Sequence, residues 1–254
     1  MSDYNSQAIV LRSQVYREGD KLITAFCAQY GKQTLILKSG LKVKSKMAGH
    51  LDVGSIVDLE WATGNYFNVI TGASAINNLK NIRTDLTKII YLNSVVASLD
   101  KLIIEKEPNQ KIYELTFEFI NLLNEVENSF EIEMIYQSWW WQVLVELGFL
   151  PNLVNCYRCG QSLNSEAEIV FDFEVGSLGH QRCLPTKINC KLYKKEEIKL
   201  LKLLLEKSMD FWKSKKIKPE LIQKGREMLQ NFVAFRDLDF NQKMFARKVD
   251  VELD

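Results

Sequence analysis

Four residues of metal-binding type stand in two pairs of matching spacing: Cys156-Tyr-Arg-Cys159 and, twenty residues further on, His180-Gln-Arg-Cys183. Zn²⁺ takes four thiolate or imidazole ligands at tetrahedral corners, and two ligands three residues apart on a tight turn occupy adjacent corners. The spacing therefore predicts one zinc per chain, held by Cys156, Cys159, His180 and Cys183. Residues 169–173 (IVFDF) read as a strand that carries the second pair back to the first, with Gly176 and Gly179 permitting the turn. A competing set replaces His180 with Cys190, and the repeated two-residue gap favours His180. Four protein ligands leave no open coordination position, so the expected metal is structural and not catalytic. The fifth cysteine, Cys27, is expected to pack as a small apolar side chain. An odd cysteine count argues against a disulfide framework.

A second chemical clue is basic. Lys38, Lys42, Lys44 and Lys46 fall within nine residues of a loop that also contains Gly40, Ser39 and Ser45. Small residues let a backbone approach phosphates, and lysines neutralise them, so these four are the candidate DNA-binding residues. Net charge is only +1, but it is unevenly spread: nine basic and six acidic residues over 1–80, eight and fifteen over 81–190, sixteen and eleven over 191–254. Two basic ends around an acidic middle suit an anionic partner for the ends and a different partner for the centre. The machinery of common enzymes is missing. There is no GxxxxGK[ST] loop, no GxGxxG, and His50 is the one histidine outside the predicted metal set. No enzyme activity is expected. No apolar run approaches the roughly 20 residues of a membrane span, and the first residues lack signal-peptide character, so a cytoplasmic location is expected.

The elements that must position these groups can be read in outline. Residues 6–15, 21–29, 33–37, 55–61 and 67–71 read as short strands, separated by turns at 17–20, 30–31 and 63–65. Five strands in about 80 residues suit a small barrel, of OB type or SH3-like by pattern alone. Beyond residue 77 the period becomes helical: Ile112, Leu115, Phe119, Leu122, Leu123 and Val126, then 131–147, then Ile198, Leu201, Leu204 and Leu205, then Leu221, Met228, Leu229 and Phe232. Gly148 and Pro151 should end the 131–147 helix, and Pro219 suits a first helical turn. Trp139, Trp140 and Trp141 cannot share one helix face, so at least one is expected to meet a second buried surface or a partner. The expected fold class is α+β: a five-stranded OB-type barrel over residues 1–80, then an all-helical domain over 81–254 with a zinc finger inserted at about 152–190.

The stretch from Ala8 to Met47, with its Glu18-Gly19-Asp20 turn, its Tyr30-Gly31-Lys32 turn and its loop Gly40-Leu-Lys-Val-Lys-Ser-Lys46, resembles the opening of the RecO family. The segment Leu144-Val-Glu-Leu-Gly148-Phe-Leu-Pro151-Asn-Leu-Val-Asn-Cys156-Tyr-Arg-Cys159-Gly160 is similar to that family's cysteine segment. His180 departs from it, since zinc-bearing members usually carry cysteine there, but histidine remains a normal ligand. The resemblance implies an OB barrel followed by a helical domain that carries the zinc module. It also implies a protein that binds single- and double-stranded DNA and anneals complementary strands. With RecR, such a protein helps to load RecA onto DNA covered by single-stranded-DNA-binding protein (SSB). The alternative is a zinc-stabilised interaction adaptor whose barrel binds a peptide.

Overall fold

The computed structural model of the chain describes residues 3–17, 19–42, 47–77, 79–163, 168–183 and 189–235. Five strands come first: β1 (Tyr4–Tyr16), β2 (Asp20–Cys27), β3 (Gly31–Leu37), β4 (Ile56–Ala62) and β5 (Asn68–Ala75). They close into a barrel in the order β1-β2-β3-β5-β4, and β4 pairs back onto β1. The seam between β3 and β5 is parallel, joining Leu35 to Asn68 and Ile36 to Val69, and the other four pairings are antiparallel. This is the five-stranded Greek-key barrel of the OB fold, which decides between the two barrels the sequence left open.

Two compact units form, one ending at Glu125 and the other beginning at Val126. In the first, the barrel is joined by α1 (Lys80–Arg83), α2 (Leu86–Leu102) and α3 (Gln110–Glu125). The barrel interior is filled by alternate residues, among them Ala8, Val10, Ile23, Ala25, Leu35, Leu37, Leu59 and Trp61. Cys27 lies in that core, fully buried. Strict alternation fails along residues 8–11, which are all buried. The reason is that part of the outer face is covered too. Helix α2 packs on β1, and Phe26 of β2 meets Tyr113 of α3 at 5.9 Å. Asp100 near the end of α2 pairs with Arg12 of β1 at 2.9 Å, and its backbone carbonyl accepts from Lys32 Nζ at 2.6 Å. Helix α2 starts at Asp85, whose side chain accepts from the Lys88 N–H at 3.2 Å.

The second unit is built around α4 (Ser129–Glu146), which Asn128 caps by accepting from the N–H groups of Phe130 and Glu131. Trp139, Trp140 and Trp141 are all buried, because α4 is surrounded. Helices α5 (Lys195–Glu206) and α6 (Pro219–Phe235) pack on it, as does the 3₁₀ turn Met209–Trp212. Trp141 meets Phe232 of α6 at 5.0 Å, while Trp139 and Trp140 meet edge to face at 5.3 Å. The tryptophan run is therefore core. Gly148, at φ +88°, ends α4, with the Phe149 N–H donating to Leu144 O at 2.8 Å. Several polar side chains of α4 bond to its neighbours. Glu133 pairs with Arg226, Gln137 donates to Ile222 O at 3.0 Å, and Gln142 donates to Lys207 O at 2.8 Å at the end of α5.

Between α4 and α5 lies a three-stranded sheet of order β7-β6-β8, made of β6 (Glu168–Asp172), β7 (Ser177–Gly179) and β8 (Cys190–Lys194). The sequence reading anticipated β6 but neither β7 nor β8. Phe171 faces Phe232 at 6.0 Å and Phe173 stacks on Phe235 at 5.9 Å, which fixes the sheet against α6.

Candidate functional site

The sheet brings the two ligand pairs together. The first knuckle is a tight turn: the Cys156 N–H donates to Gln161 O at 2.8 Å, and the Gly160 N–H returns to Cys156 O at 2.8 Å. Gly160 sits at φ +73°, where a side chain would be strained. The knuckle is tied to the sheet at two points. The Tyr157 N–H donates to Leu178 O at 3.1 Å, and the Tyr157 hydroxyl donates to Asp172 Oδ2 at 2.6 Å. The other oxygen of the buried Asp172 accepts from the N–H groups of Glu174 and Val175 and so shapes the β6–β7 turn. Gly176, at φ +71°, completes that turn. Gly179 belongs to β7, paired with Val170, and is not a turn residue. The strand then delivers His180, and the turn Gln181–Cys183 brings Cys183 round.

The ligand atoms of Cys156, Cys159, His180 and Cys183 all lie within 4.8 Å of one another. His180 Nδ1 is 3.4 Å from Cys159 Sγ and 3.8 Å from Cys183 Sγ. Metal–sulfur bonds of ~2.3 Å and metal–nitrogen bonds of ~2.0–2.1 Å at tetrahedral angles require sulfur–nitrogen separations of about 3.6 Å. The two nitrogen–sulfur separations bracket that value, and the donor set is of a kind and compactness that could hold a metal ion. The far nitrogen, His180 Nε2, lies 3.3 Å from Ser162 O. Donation there puts the proton on Nε2 and leaves the Nδ1 lone pair aimed into the cluster. Cys156 is buried, which by itself would raise its thiol, but hydrogen bonds from the backbone N–H groups of Cys159, His180 and Arg158 outweigh burial and bring it down to about 6. Cys183 is pushed up, by burial first and then by the neighbouring sulfurs. Cys190, the competing ligand, starts β8 opposite Asp172 and is not part of the cluster.

The basic loop leaves β3 beside the β1–β2 turn. Lys38 is exposed and pairs with Asp20 Oδ2 at 3.0 Å. Asp20 Oδ1 accepts from the Ser39 N–H at 2.7 Å, and the Leu41 N–H donates to Gly19 O at 2.9 Å. The Ser39 N–H, followed by Lys38, holds the Asp20 carboxyl below the usual carboxylate range. Lys42 is exposed one turn further on. Lys44 and Lys46 lie outside the described residues.

The family model for recombination protein O, N terminal, matches residues 1–79, and that for recombination protein O, C terminal, matches residues 83–236. The chain belongs to the RecO family. Relatives named DNA repair protein RecO align along nearly all of it. The protein of Listeria monocytogenes serotype 4b (strain CLIP80459) is 25% identical over 248 residues, covering 96% of this chain and 94% of the relative. That of Desulforamulus reducens is 25% identical over 235 residues, covering 92% and 90%. That of Caldanaerobacter subterraneus subsp. tengcongensis is 23% identical over 245 residues, covering 96% and 97%. The RecO resemblance seen in the barrel and cysteine segments thus extends over the whole match. Among the described residues, no helix is long and apolar enough to cross a membrane.

The sequence reading missed one feature of this RecO-family barrel. Tyr16 and Arg17 of the β1–β2 turn, and Tyr66 and Phe67 of the β4–β5 turn, line a cleft of about 420 Å³ beside Lys38. The two turns were read as turns, but the aromatics at their edges carried no period and so no signal. Only an OB topology, whose β1–β2 and β4–β5 loops converge at one end of the barrel, brings them together.

Proposed function

We propose that this chain is a DNA-binding recombination mediator in DNA repair. In this reading it binds single- and double-stranded DNA, anneals complementary strands without consuming a cofactor and, with RecR, assists loading of RecA onto SSB-covered strands. The observation that carries it is the OB-type barrel whose β1–β2 turn and basic β3–β4 loop share one corner, in a chain of a DNA repair family. OB barrels bind strands along such loops, and lysines there neutralise phosphates. The closed barrel weighs against the peptide-binding adaptor. Strand addition needs an unpaired sheet edge, and all five strands have both neighbours.

The four-ligand cluster is proposed to hold one structural Zn²⁺, through Cys156, Cys159, His180 and Cys183. Three thiolates and an imidazole in a tetrahedron suit zinc, and a closed set supplies folding energy rather than an activated water. The chain carries out no bond-making chemistry in this reading.

The test is titration of labelled single-stranded oligonucleotide at several salt concentrations. If Lys38, Lys42, Lys44 and Lys46 each neutralise a phosphate, the log–log salt slope owes about −3 to them, at roughly −0.7 per contact. Alanine at all four should flatten the slope by that amount. Unchanged affinity and slope would place the DNA site elsewhere.

A further inference from the structure

The four residues of the cysteine–histidine cluster are not equally sheltered. Cys156 and His180 are buried, at 1% and 2% exposure, Cys183 is half-buried, and Cys159 is exposed. A metal ion bound there holds its sulfurs as thiolates, because a coordinating thiol is deprotonated. The thiolate is the nucleophilic form of cysteine, and solvent access decides which one an oxidant meets. In this cluster that sulfur is Cys159 Sγ.

A second sulfur stands directly behind it. Cys156 and Cys159 share one turn, which the Gly160 N–H closes by donating to Cys156 O at 2.8 Å. Their sulfurs lie within 4.8 Å of each other. Residues three apart in a tight turn lie within about 7 Å at Cα, and disulfide-bonded pairs span about 4.4–6.8 Å, so the two can join without displacing β6 or β7. The other two cysteines lack such a neighbour in the cluster. Cys190 starts β8 apart from it, and Cys27 is sealed in the barrel core.

We infer that Cys159 is an oxidation site, at which a peroxide converts the cluster from a metal site into a Cys156–Cys159 disulfide and so releases the ion. The inference rests on the zinc reading above and deepens it. In the first step the Cys159 thiolate attacks one oxygen of hydrogen peroxide. An S–O bond forms, the O–O bond breaks, and hydroxide leaves. In the second step the Cys156 thiolate attacks Cys159 Sγ. The S–S bond forms, the S–O bond breaks, and a second hydroxide leaves. Two thiolates have given up two electrons, one peroxide has taken them, and solvent protons turn the hydroxides into water. His180 and Cys183 remain, two ligands where a structural zinc takes four. Tyr157, between the two cysteines, ties the knuckle to the sheet through Leu178 O and Asp172 Oδ2, so a change at the sulfurs reaches the β6–β7 turn.

The experiment exposes the full chain, with its zinc, to hydrogen peroxide beside a chromophoric zinc chelator. Thiols are counted after denaturation, and disulfides are mapped by mass spectrometry of alkylated peptides. Without peroxide the zinc should stay. With it, wild type should release the zinc, lose two of its five thiols and yield a Cys156–Cys159 bond. Dithiothreitol with added zinc should restore both counts, since a disulfide is reversed by thiol exchange and the higher sulfur oxides are not. Cys190→Ser should release zinc as wild type does. Cys159→His, which exchanges the exposed sulfur for another zinc ligand, should hold its zinc through the exposure that empties wild type. The wild-type disulfide map decides even where that variant fails to load. Zinc retained under peroxide, or released without a Cys156–Cys159 bond, would overturn the oxidation site and leave the zinc reading intact. Wild type that contains no zinc as isolated would overturn both.

Discussion

Stripping the metal should melt the cysteine knuckles and leave the helical core standing. Without the ion, the first knuckle is held by a few hydrogen bonds: Cys156 to Gln161, Gly160 to Cys156, Tyr157 to Leu178, and the Tyr157 hydroxyl to Asp172. Neutral bonds contribute about 0.5–1.5 kcal/mol each and one to a carboxylate about 1.5–3 kcal/mol. Ordering residues 155–163 costs roughly 1–2 kcal/mol each. The bonds alone do not meet that cost, and an apparent zinc contribution of ~10–16 kcal/mol does. The sheet and helices depend on it less, since Phe171 and Phe173 pack on α6 and the four tryptophans of α4 and the 3₁₀ turn are buried among themselves and their neighbours. Elemental analysis should find one zinc per chain. Chelation should remove hydrogen-exchange protection over 155–163 and 180–183 while tryptophan fluorescence stays native. Cys159→Ser should reproduce that loss and Cys190→Ser should not, because Cys190 stands apart from the cluster. Retained knuckle protection in metal-free protein, or concerted collapse of the helices with it, would refute the reasoning.

Other perturbations test the packing. Burial pushes the Cys27 thiol up to about 12, from an ordinary value near 9. The unfolded chain ionises first, so this stability is complete below about pH 8.5 and is lost as pH rises towards 12, at up to roughly 1.4 kcal/mol per pH unit. Denaturant melts of Cys27→Ala should show a shallower alkaline decline, though not a flat one, since burial also raises Tyr113. Arg226→Ala should destabilise the second unit by about 3–5 kcal/mol by taking the paired guanidinium from the buried Glu133, whereas Arg226→Met with Glu133→Gln should recover most of it in the same melts. Gly225→Ala should also destabilise, by about 1–3 kcal/mol, although alanine normally favours a helix. Its Cβ would strike Gln137 Oε1, whose side chain is fixed by its bonds to Glu133 and Ile222.

Much of this was legible because local chemistry and global fold agree. Turn residues and alternation marked the five strands, and the paired two-residue gaps marked the ligands of a cluster that the fold does assemble. Helix α2 escaped because its buried face mixes Tyr91, Val95 and Leu99 with Lys88, Ser94 and Ser98, which blurs the period. Strand β7 is three residues long, and β8, with Lys191 and Lys194 beside Cys190, looks like the start of the helix that follows it. The meaning of the tryptophan run needed the positions of α5 and α6, since a helix apolar on every side does not say what covers it. The aromatic cleft depended on two turns about 50 residues apart, and no pattern within either one connects them.

Annealing is the most direct test of the mediator account. Complementary oligonucleotides should be mixed at low and moderate salt, with no nucleotide present. Wild type should accelerate duplex formation above the spontaneous rate, and the variant with alanine at Lys38, Lys42, Lys44 and Lys46 should lose most of that acceleration. A wild-type rate no faster than spontaneous annealing, or acceleration only when ATP is supplied, would contradict it.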